Sequence, residues 1–157
     1  MSPTQAITIQ PFASLDAEHM ELLLEADPSV RMVHTVFARA DAYEIRVGDD
    51  LAGVMLLVGP GPEIMEIANI SVARSHRRQG LGRRLIERAQ KETVELGYGR
   101  LEVGTGSTST EALLFYQICG FRMDSIERDY FAGRYDQPVV ENGIILKDMV
   151  RLSWMPD

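Results

Sequence analysis

The sequence predicts one α/β domain, in which helices flank a mixed β-sheet. Short segments with the alternating or fully apolar pattern of strands are interspersed with segments of helical periodicity. The 157 residues are enough to bury one sizeable core, and 45% hydrophobic with 25% charged residues is typical of globular domains. We therefore expect a single domain over residues 1–157.

The N-terminal part of the chain predicts a strand, two helices and a hairpin. The segment AITIQPF alternates apolar and polar residues, and Pro11 ends it. LDAEHMELLLEAD has apolar residues at helical spacing with Ser14 as its N-cap, and a shorter helix follows at residues 29–39. AYEIRV and LAGVMLLVG are then two strands joined by a turn at residues 48–50.

The middle of the chain alternates strands and helices. EIMEIANISV has apolar stretches that favour a central strand, and residues 79–96 form an amphipathic helix closed by Gly97. LEVGT is a short strand, and the next helix, 109–119, begins where Thr108 and Glu111 have the spacing of a capping box. Two strands, around 121–130 and 147–154, complete the order βααβββαβαββ.

Composition excludes several classes of protein. A net charge of −7 argues against general nucleic-acid binding, and the longest apolar run, residues 51–58, is too short to span a bilayer. The N-terminus lacks the basic and apolar regions of a secretory signal, so we expect a cytoplasmic protein. One cysteine, Cys119, and three scattered histidines predict neither an internal disulfide nor a metal site.

Five arginines fall within residues 74–84, around Gly80 and Gly82, where a strand gives way to a helix. A helix N-terminus has unpaired N–H groups and a positive dipole end, so this turn is suited to an anion such as a diphosphate. The pattern is neither G-x-G-x-x-G nor a P-loop, because a third glycine and a Lys-Ser/Thr pair are both missing. A solvated helix face and a local nucleic-acid patch are the alternatives.

Two motifs carry a family resemblance. Residues 77–82, RRQGLG, have the pattern R-x-x-G-x-G, which resembles the acyl-CoA signature of the Gcn5-related N-acetyltransferase (GNAT) family. Residues 109–121, STEALLFYQICGF, are similar to the family pattern N-x-x-A-x-x-x-Y-x-x-x-G-F, with Ser109 in place of the asparagine. With the helix and strand between them, the motifs cover residues 63–121.

The resemblance implies a fold, a co-substrate and a set of binding residues. The fold has a mostly antiparallel sheet, splayed between its fourth and fifth strands and flanked by about four helices. The reaction is transfer of an acetyl group from acetyl-CoA to an amine by direct attack, without a metal. The residues expected to bind acetyl-CoA are Ile70, Ser71, Val72, Arg77, Arg78, Gln79, Gly80, Leu81, Gly82, Arg83 and Ser109.

The resemblance also implies two catalytic side chains. Tyr116 matches the tyrosine that protonates the departing thiolate, and Glu66 aligns with the glutamate that serves as general base in histone-modifying members. Glu63 and Glu102 are competing carboxylates for the role of base, and some members use no dedicated base.

The acceptor is not specified by the motifs. Nine Asp or Glu against three Arg before Leu51 fit a cationic acceptor such as an aminoglycoside, a polyamine or an amino-terminal peptide, and an acidic surface that only confers solubility is the alternative. We expect a small amine ahead of a protein lysine or N-terminus. Tyr130, Phe131 and Tyr135 are candidates for one wall of the acceptor site, or for the core. A non-catalytic acyl-CoA sensor is the alternative of another class, and a homodimer is compatible with the resemblance.

Overall fold

A computed structural model describes residues 4–157, so residues 1–3 of the predicted domain lie outside the described residues. It contains four helices and nine strands in its described part. The helices are α1 (Ala17–Ala26), α2 (Val30–Phe37), α3 (Leu81–Glu95) and α4 (Thr110–Ile118). The strands are β1 (Ile7–Pro11), β2 (Asp41–Val47), β3 (Asp50–Gly61), β4 (Ile64–Val72), β5 (Arg100–Gly106), β6 (Arg122–Glu127), β7 (Val140–Glu141), β8 (Ile144–Ile145) and β9 (Met149–Trp154).

Seven of the strands form one sheet in the order β1-β2-β3-β4-β5-β9-β6, with β4 at its centre. All neighbouring pairs are antiparallel except β4 and β5. The predicted fold class, a mixed and mostly antiparallel sheet flanked by four helices, is therefore confirmed. β7 and β8 form a separate short hairpin.

The two faces of the sheet bury different helices because side chains alternate along each strand. On one face, Met55 and Leu57 of β3 belong to the core cluster that includes Leu85 and Ile86 of α3. On the other face, Val54 and Leu56 pack in the cluster that contains Leu22, Leu23 and Val33 of α1 and α2. The apolar run of β3 is thus buried on both sides.

The sheet splays between β4 and β5. The two strands pair only from Ile64 with Arg100 to Ile67 with Val103, whereas β5 continues to pair with β9 as far as Gly106. On its other side, β4 remains paired with β3 to its last residue, Val72. The β5-facing edge of residues 68–72 is therefore free of strand pairing, and the predicted splay is confirmed.

A β-bulge at Ala68 redirects the side chains of β4. Leu56 of β3 is opposite Asn69, and Leu57 is opposite Ile67, which leaves Ala68 as the extra residue. After the bulge, Ile70 packs against the α3 cluster, while the Asn69 amide nitrogen donates to the Leu23 carbonyl of α1 at 3.0 Å. The bulge therefore determines which side chains face each side of the opening.

Several predicted helix boundaries are corrected. The N-cap of α1 is Asp16 and not Ser14, because the Asp16 carboxylate accepts from the His19 amide at 3.0 Å and the His19 ring nitrogen Nδ1 accepts from the Asp16 amide at 3.3 Å. α3 begins at Leu81 and not at residue 79. The expected capping box of α4 does not form, since Ser109 is its N-cap and the Thr108 hydroxyl donates to Glu141 instead.

Candidate active site

The turn before α3 exposes the start of the helix. Gly80 is its N-cap with φ +78°, a left-handed conformation that glycine adopts readily, and Arg78 is also left-handed with φ +64°. The first hydrogen bond of the helix runs from the Arg84 N–H to the Gly80 carbonyl at 3.2 Å, so the amides of residues 81–83 have no partner within the helix. These amides and the helix dipole form an anion-binding end.

Gly82 is required for close packing rather than for its backbone conformation. A Cβ placed on it would come within 3.3 Å of Cζ in the Phe115 ring and 3.8 Å of a Val72 methyl group. The glycine therefore keeps the wall between α3, α4 and the end of β4 free of an additional side chain. A larger residue here would project into the space that the exposed amides face.

The arginines of the predicted acetyl-CoA set differ in their contacts. Arg77 donates from Nε to the Val72 carbonyl at 3.0 Å and from Nη2 to the Glu25 carboxylate at 2.9 Å, so it is already engaged. Arg83 is more than half exposed and only 3.6 Å from Glu87. The turn therefore combines one arginine tied to β4 and α1 with one on an exposed helix face.

A cavity of about 410 Å³ lies over this turn. Nine of the eleven residues predicted to bind acetyl-CoA line it, which places the predicted set in one location; Gln79 and Ser109 are the exceptions. Val72, Gly82 and Phe115 form part of its wall, and Tyr116 is at one side. The first cavity therefore joins the anion-binding helix end to the free edge of β4.

A second cavity of about 560 Å³ lies at the splayed part of the sheet. It is lined by residues 67–70 of β4 and 103–106 of β5, together with the loop that carries Tyr130, Phe131 and Tyr135. These aromatic residues therefore line the cavity, as one of the two predictions for them proposed. Ile70, Ala112 and Tyr116 line both cavities, which meet along this shared wall.

Tyr116 is a buried phenol at that shared wall. It is 6% exposed and packs against the rings of Phe115 and Phe121, at centroid distances of 5.5 and 5.8 Å. Burial raises the pKa of Tyr116 well above its ordinary value. Its hydroxyl therefore stays protonated at neutral pH and is a hydrogen-bond donor at the junction of the cavities.

Glu66 is in the paired part of β4, beyond the junction. It is opposite Glu102 of β5. Glu66 is not among the described residues that line either cavity. Burial raises the pKa of the Glu66 carboxyl, an effect that the nearby Arg151 opposes and Glu102 reinforces. Glu66 directly precedes Ile67, the first β4 residue of the second cavity.

Three carboxylates line the second cavity, and sequence reasoning identified none of them as a site residue. Glu25 and Asp27 come from the end of α1, and Glu141 comes from the β7–β8 hairpin. Burial, with a smaller effect of the Asp27 carboxylate, raises the pKa of Tyr135 to about 12. The acidic balance before Leu51 was the only sequence signal for this arrangement.

The β7–β8 hairpin holds the start of α4. The Glu141 Oε1 atom accepts from the Ser109 hydroxyl at 2.5 Å and from the Thr108 hydroxyl at 3.0 Å, and the Asn142 amide donates to the Thr108 carbonyl at 2.8 Å. The hydroxyl of Ser109 is thus occupied by Glu141. Ser109 lines the second cavity and not the first.

Comparisons with known proteins identify relatives of this chain. A sequence model of the Acetyltransferase (GNAT) family matches residues 7–121. The uncharacterized N-acetyltransferase YvbK of Bacillus subtilis strain 168 is 40% identical over 148 residues, which cover 94% of this chain and 96% of that protein.

Two solved structures are similar over almost the whole chain. A Bacillus subtilis acetyltransferase in complex with CoA has a TM-score of 0.91 at 38% identity, over 96% of this chain and 99% of its own. A GNAT family acetyltransferase from Elizabethkingia anophelis with acetyl-CoA bound has a TM-score of 0.91 at 33% identity, over 96% of this chain and 98% of its own.

Within residues 4–157, no helix has the length and apolar character needed to cross a membrane.

Proposed function

The chain belongs to the GNAT family of acetyltransferases, and from this premise we propose that it transfers the acetyl group of acetyl-CoA to a small primary amine by direct attack in a ternary complex. The observation that carries the proposal is the meeting of the two cavities at Ile70, Ala112 and Tyr116. One cavity has the features of an acetyl-CoA site, and the other can admit the acceptor from the opposite side.

Acetyl-CoA is held in the first cavity, and its acetyl-bearing end extends into the adjoining part of the second cavity beside residues 68–70. Its pyrophosphate binds the amides of residues 81–83, with Arg78 and Arg83 near its charge. Its pantetheine chain runs along the free edge of residues 68–72 and pairs with backbone groups as an added strand would. Gln79 remains in the proposed binding set by its position beside the turn. Ser109 remains in it at the start of α4, where it borders the second cavity and can meet the pantetheine chain only with groups other than its hydroxyl, which Glu141 occupies.

The chemistry requires a neutral amine. Its nitrogen attacks the acetyl carbonyl carbon, the C–N bond forms, and the C–S bond then breaks with sulfur leaving as a thiolate. Tyr116 donates its hydroxyl proton to the departing sulfur, which gives the CoA thiol, and its oxygen then regains a proton from water. The raised pKa of Tyr116 favours this return to the protonated phenol. A backbone N–H of residues 70–72 stabilises the developing oxyanion.

Glu66 accepts the proton that the amine must lose, through a water molecule. Glu66 does not line the second cavity but directly precedes Ile67, which does. A water molecule therefore connects the amine to the carboxylate in this proposal. Burial raises the pKa of Glu66 toward neutral pH, which makes its carboxylate a stronger base than that of an ordinary glutamate.

The size of the second cavity favours a small acceptor. About 560 Å³ is within the range of small-molecule sites, and aromatic residues of the 130–135 loop cover one side. A protein lysine or N-terminus would have to enter past this loop. A small amine is therefore the preferred acceptor, and protein acetylation is the alternative outcome of the test.

The test is the release of CoA thiol from acetyl-CoA in the presence of monoamines, diamines, aminoglycosides and lysine or N-terminal peptides. Acceptor-dependent release, largest with a small amine, is the expected result. Tight binding of acetyl-CoA without release for any acceptor would contradict the proposed transferase and favour a sensor. The homodimer stays a prediction, which the mass of the protein in solution, measured by light scattering, tests.

A further inference from the structure

The carboxylates of the second cavity differ in what neutralises them. Glu25 is paired with Arg77 at 2.9 Å, whereas Asp27 accepts from the neutral Ser29 amide at 3.1 Å. Glu141 accepts only from neutral hydroxyls, and no Lys, Arg or His nitrogen of residues 4–157 is within 4.0 Å of it. Glu141 is thus a partly buried carboxylate without a counter-ion in a cavity that contains three carboxylates and one guanidinium, that of Arg134.

A second observation points to the same ligand chemistry. Asn69 also lines this cavity and is only 7% exposed. Its amide nitrogen donates to the Leu23 carbonyl, whereas its amide oxygen is buried without a hydrogen-bond partner among the described residues. A buried acceptor without a donor is costly, so a ligand rich in N–H donors would complement both this oxygen and Glu141.

Glu141 is unsuited to contact the reacting nitrogen itself. A carboxylate beside an amine stabilises the ammonium form, whereas attack on the thioester requires the neutral form. Glu141 accepts a hydrogen bond from Ser109 at the start of α4. Tyr116 is on the same helix about two turns later, roughly 10 Å along the helix axis. Glu141 is therefore placed to bind a group remote from the reacting end of the acceptor.

We propose that the second cavity selects an acceptor with a second, non-reacting ammonium group, and that Glu141 is the residue that binds this group. The proposal rests on the proposed function for the identity of the acceptor site. Glu141 is a specificity-determining residue here, and the Asn69 amide oxygen accepts a further N–H of the same molecule. No covalent step involves either residue.

The experiment measures amine binding to the CoA-saturated protein by calorimetry. Diaminoheptane, with an amine at each end, is compared with heptylamine, which has the same chain and a single amine. Extended diaminoheptane separates its nitrogens by about the distance from the start of α4 to Tyr116. We expect the native protein to bind the diamine about tenfold more tightly, and this preference to fall as salt is added.

Glu141→Gln is the decisive variant. The glutamine oxygen still accepts from the Thr108 and Ser109 hydroxyls, so the hairpin is kept while the charge is lost. We expect the diamine and the monoamine to bind this variant equally. Glu95→Gln removes one charge from the exposed face of α3, outside the cavity, and keeps the preference.

Thr108→Val distinguishes the effect of the Glu141 charge from an effect of hairpin stability. Valine removes a hydroxyl that holds Glu141 but leaves its carboxylate, so the melting temperature falls while the diamine preference remains. A native protein without preference for the diamine, or a Glu141→Gln variant that retains the preference, would overturn the proposal. The transferase itself is judged separately, by CoA release, so either proposal can fail alone.

Discussion

At the scale of single residues, Tyr116 is the side chain on which the proposed chemistry depends most directly. It is almost fully buried, yet it lines both cavities, and burial raises its pKa. We expect Tyr116→Phe to lower kcat by about 10- to 100-fold, because the proton donor to the thiolate is lost while the ring packing is kept. Steady-state release of CoA measures this.

The same variant should leave acetyl-CoA binding and folding unchanged. Phenylalanine preserves the contacts with Phe115 and Phe121, and the Tyr116 hydroxyl has no hydrogen-bond partner among the described residues. An equal kcat for native protein and variant would exclude Tyr116 as the acid. A higher dissociation constant for acetyl-CoA, measured by calorimetry, would indicate a binding role instead.

Glu66→Gln should separate activity from stability. The folded protein raises the pKa of Glu66, so its stabilising contribution is fully present below the unfolded pKa of about 4.3 and is lost as pH rises through the folded pKa. At pH 7 the ionised, partly buried carboxylate is therefore unfavourable. We expect the variant to melt at a higher temperature than the native protein at pH 7, with the difference disappearing at acid pH.

Activity should change in the opposite direction. We expect kcat of Glu66→Gln to fall by about 100-fold and the acidic limb of the pH–rate profile to disappear, because the proton acceptor is lost. Glu102→Gln is the matched control on the neighbouring strand, where Glu102 already pairs with Arg100 at 2.7 Å. A loss of activity in the control alone would move the role of base to Glu102.

At the scale of elements, the start of α3 determines acetyl-CoA binding. Gly82→Glu would place a carboxylate beside the exposed amides of residues 81–83 and against Phe115. We expect acetyl-CoA binding to become undetectable by calorimetry while the circular dichroism spectrum is kept, because the variant repels the pyrophosphate. Lys91→Gln, with the same charge change on the exposed face of α3, should bind normally; unaltered binding by Gly82→Glu would contradict the assignment of the turn.

The elements also show how far sequence reasoning reached. The strand of EIMEIANISV and the glycine-containing turn were predictable, because apolar runs and the R-x-x-G-x-G spacing are local signals. The bulge at Ala68 was not, since it depends on how β3 pairs with β4. The β7–β8 hairpin was missed because strands of two residues have no periodicity, and Glu141 was missed with it.

At the scale of the whole molecule, the sheet consists of two parts that few strand-pairing residues connect. One part is β1 to β4 and the other is β5, β9 and β6, and only four residue pairs, from Ile64 with Arg100 to Ile67 with Val103, join them. Beyond these pairs, the second cavity separates β4 from β5. A ligand that lies along β4 therefore contributes to the contact between the two parts.

Acetyl-CoA should accordingly stabilise the molecule and protect the opening. At 100 times its dissociation constant, a ligand of the folded state adds about 2.7 kcal/mol. For a domain of this size we expect the melting temperature to rise by roughly 5–10 °C. The same ligand should slow hydrogen exchange at those amides of residues 68–72 that face β5, since pantetheine would pair with them.

ADP is the control for this prediction, because it carries the pyrophosphate but has no pantetheine chain to reach between the strands. It should protect the amides of residues 81–83 and leave residues 68–72 exchanging as in the free protein. If acetyl-CoA and ADP gave the same exchange pattern, the splayed edge of β4 would not be the pantetheine site. The difference between the two ligands thus tests whether the gap in the sheet holds the acetyl-bearing arm of the co-substrate.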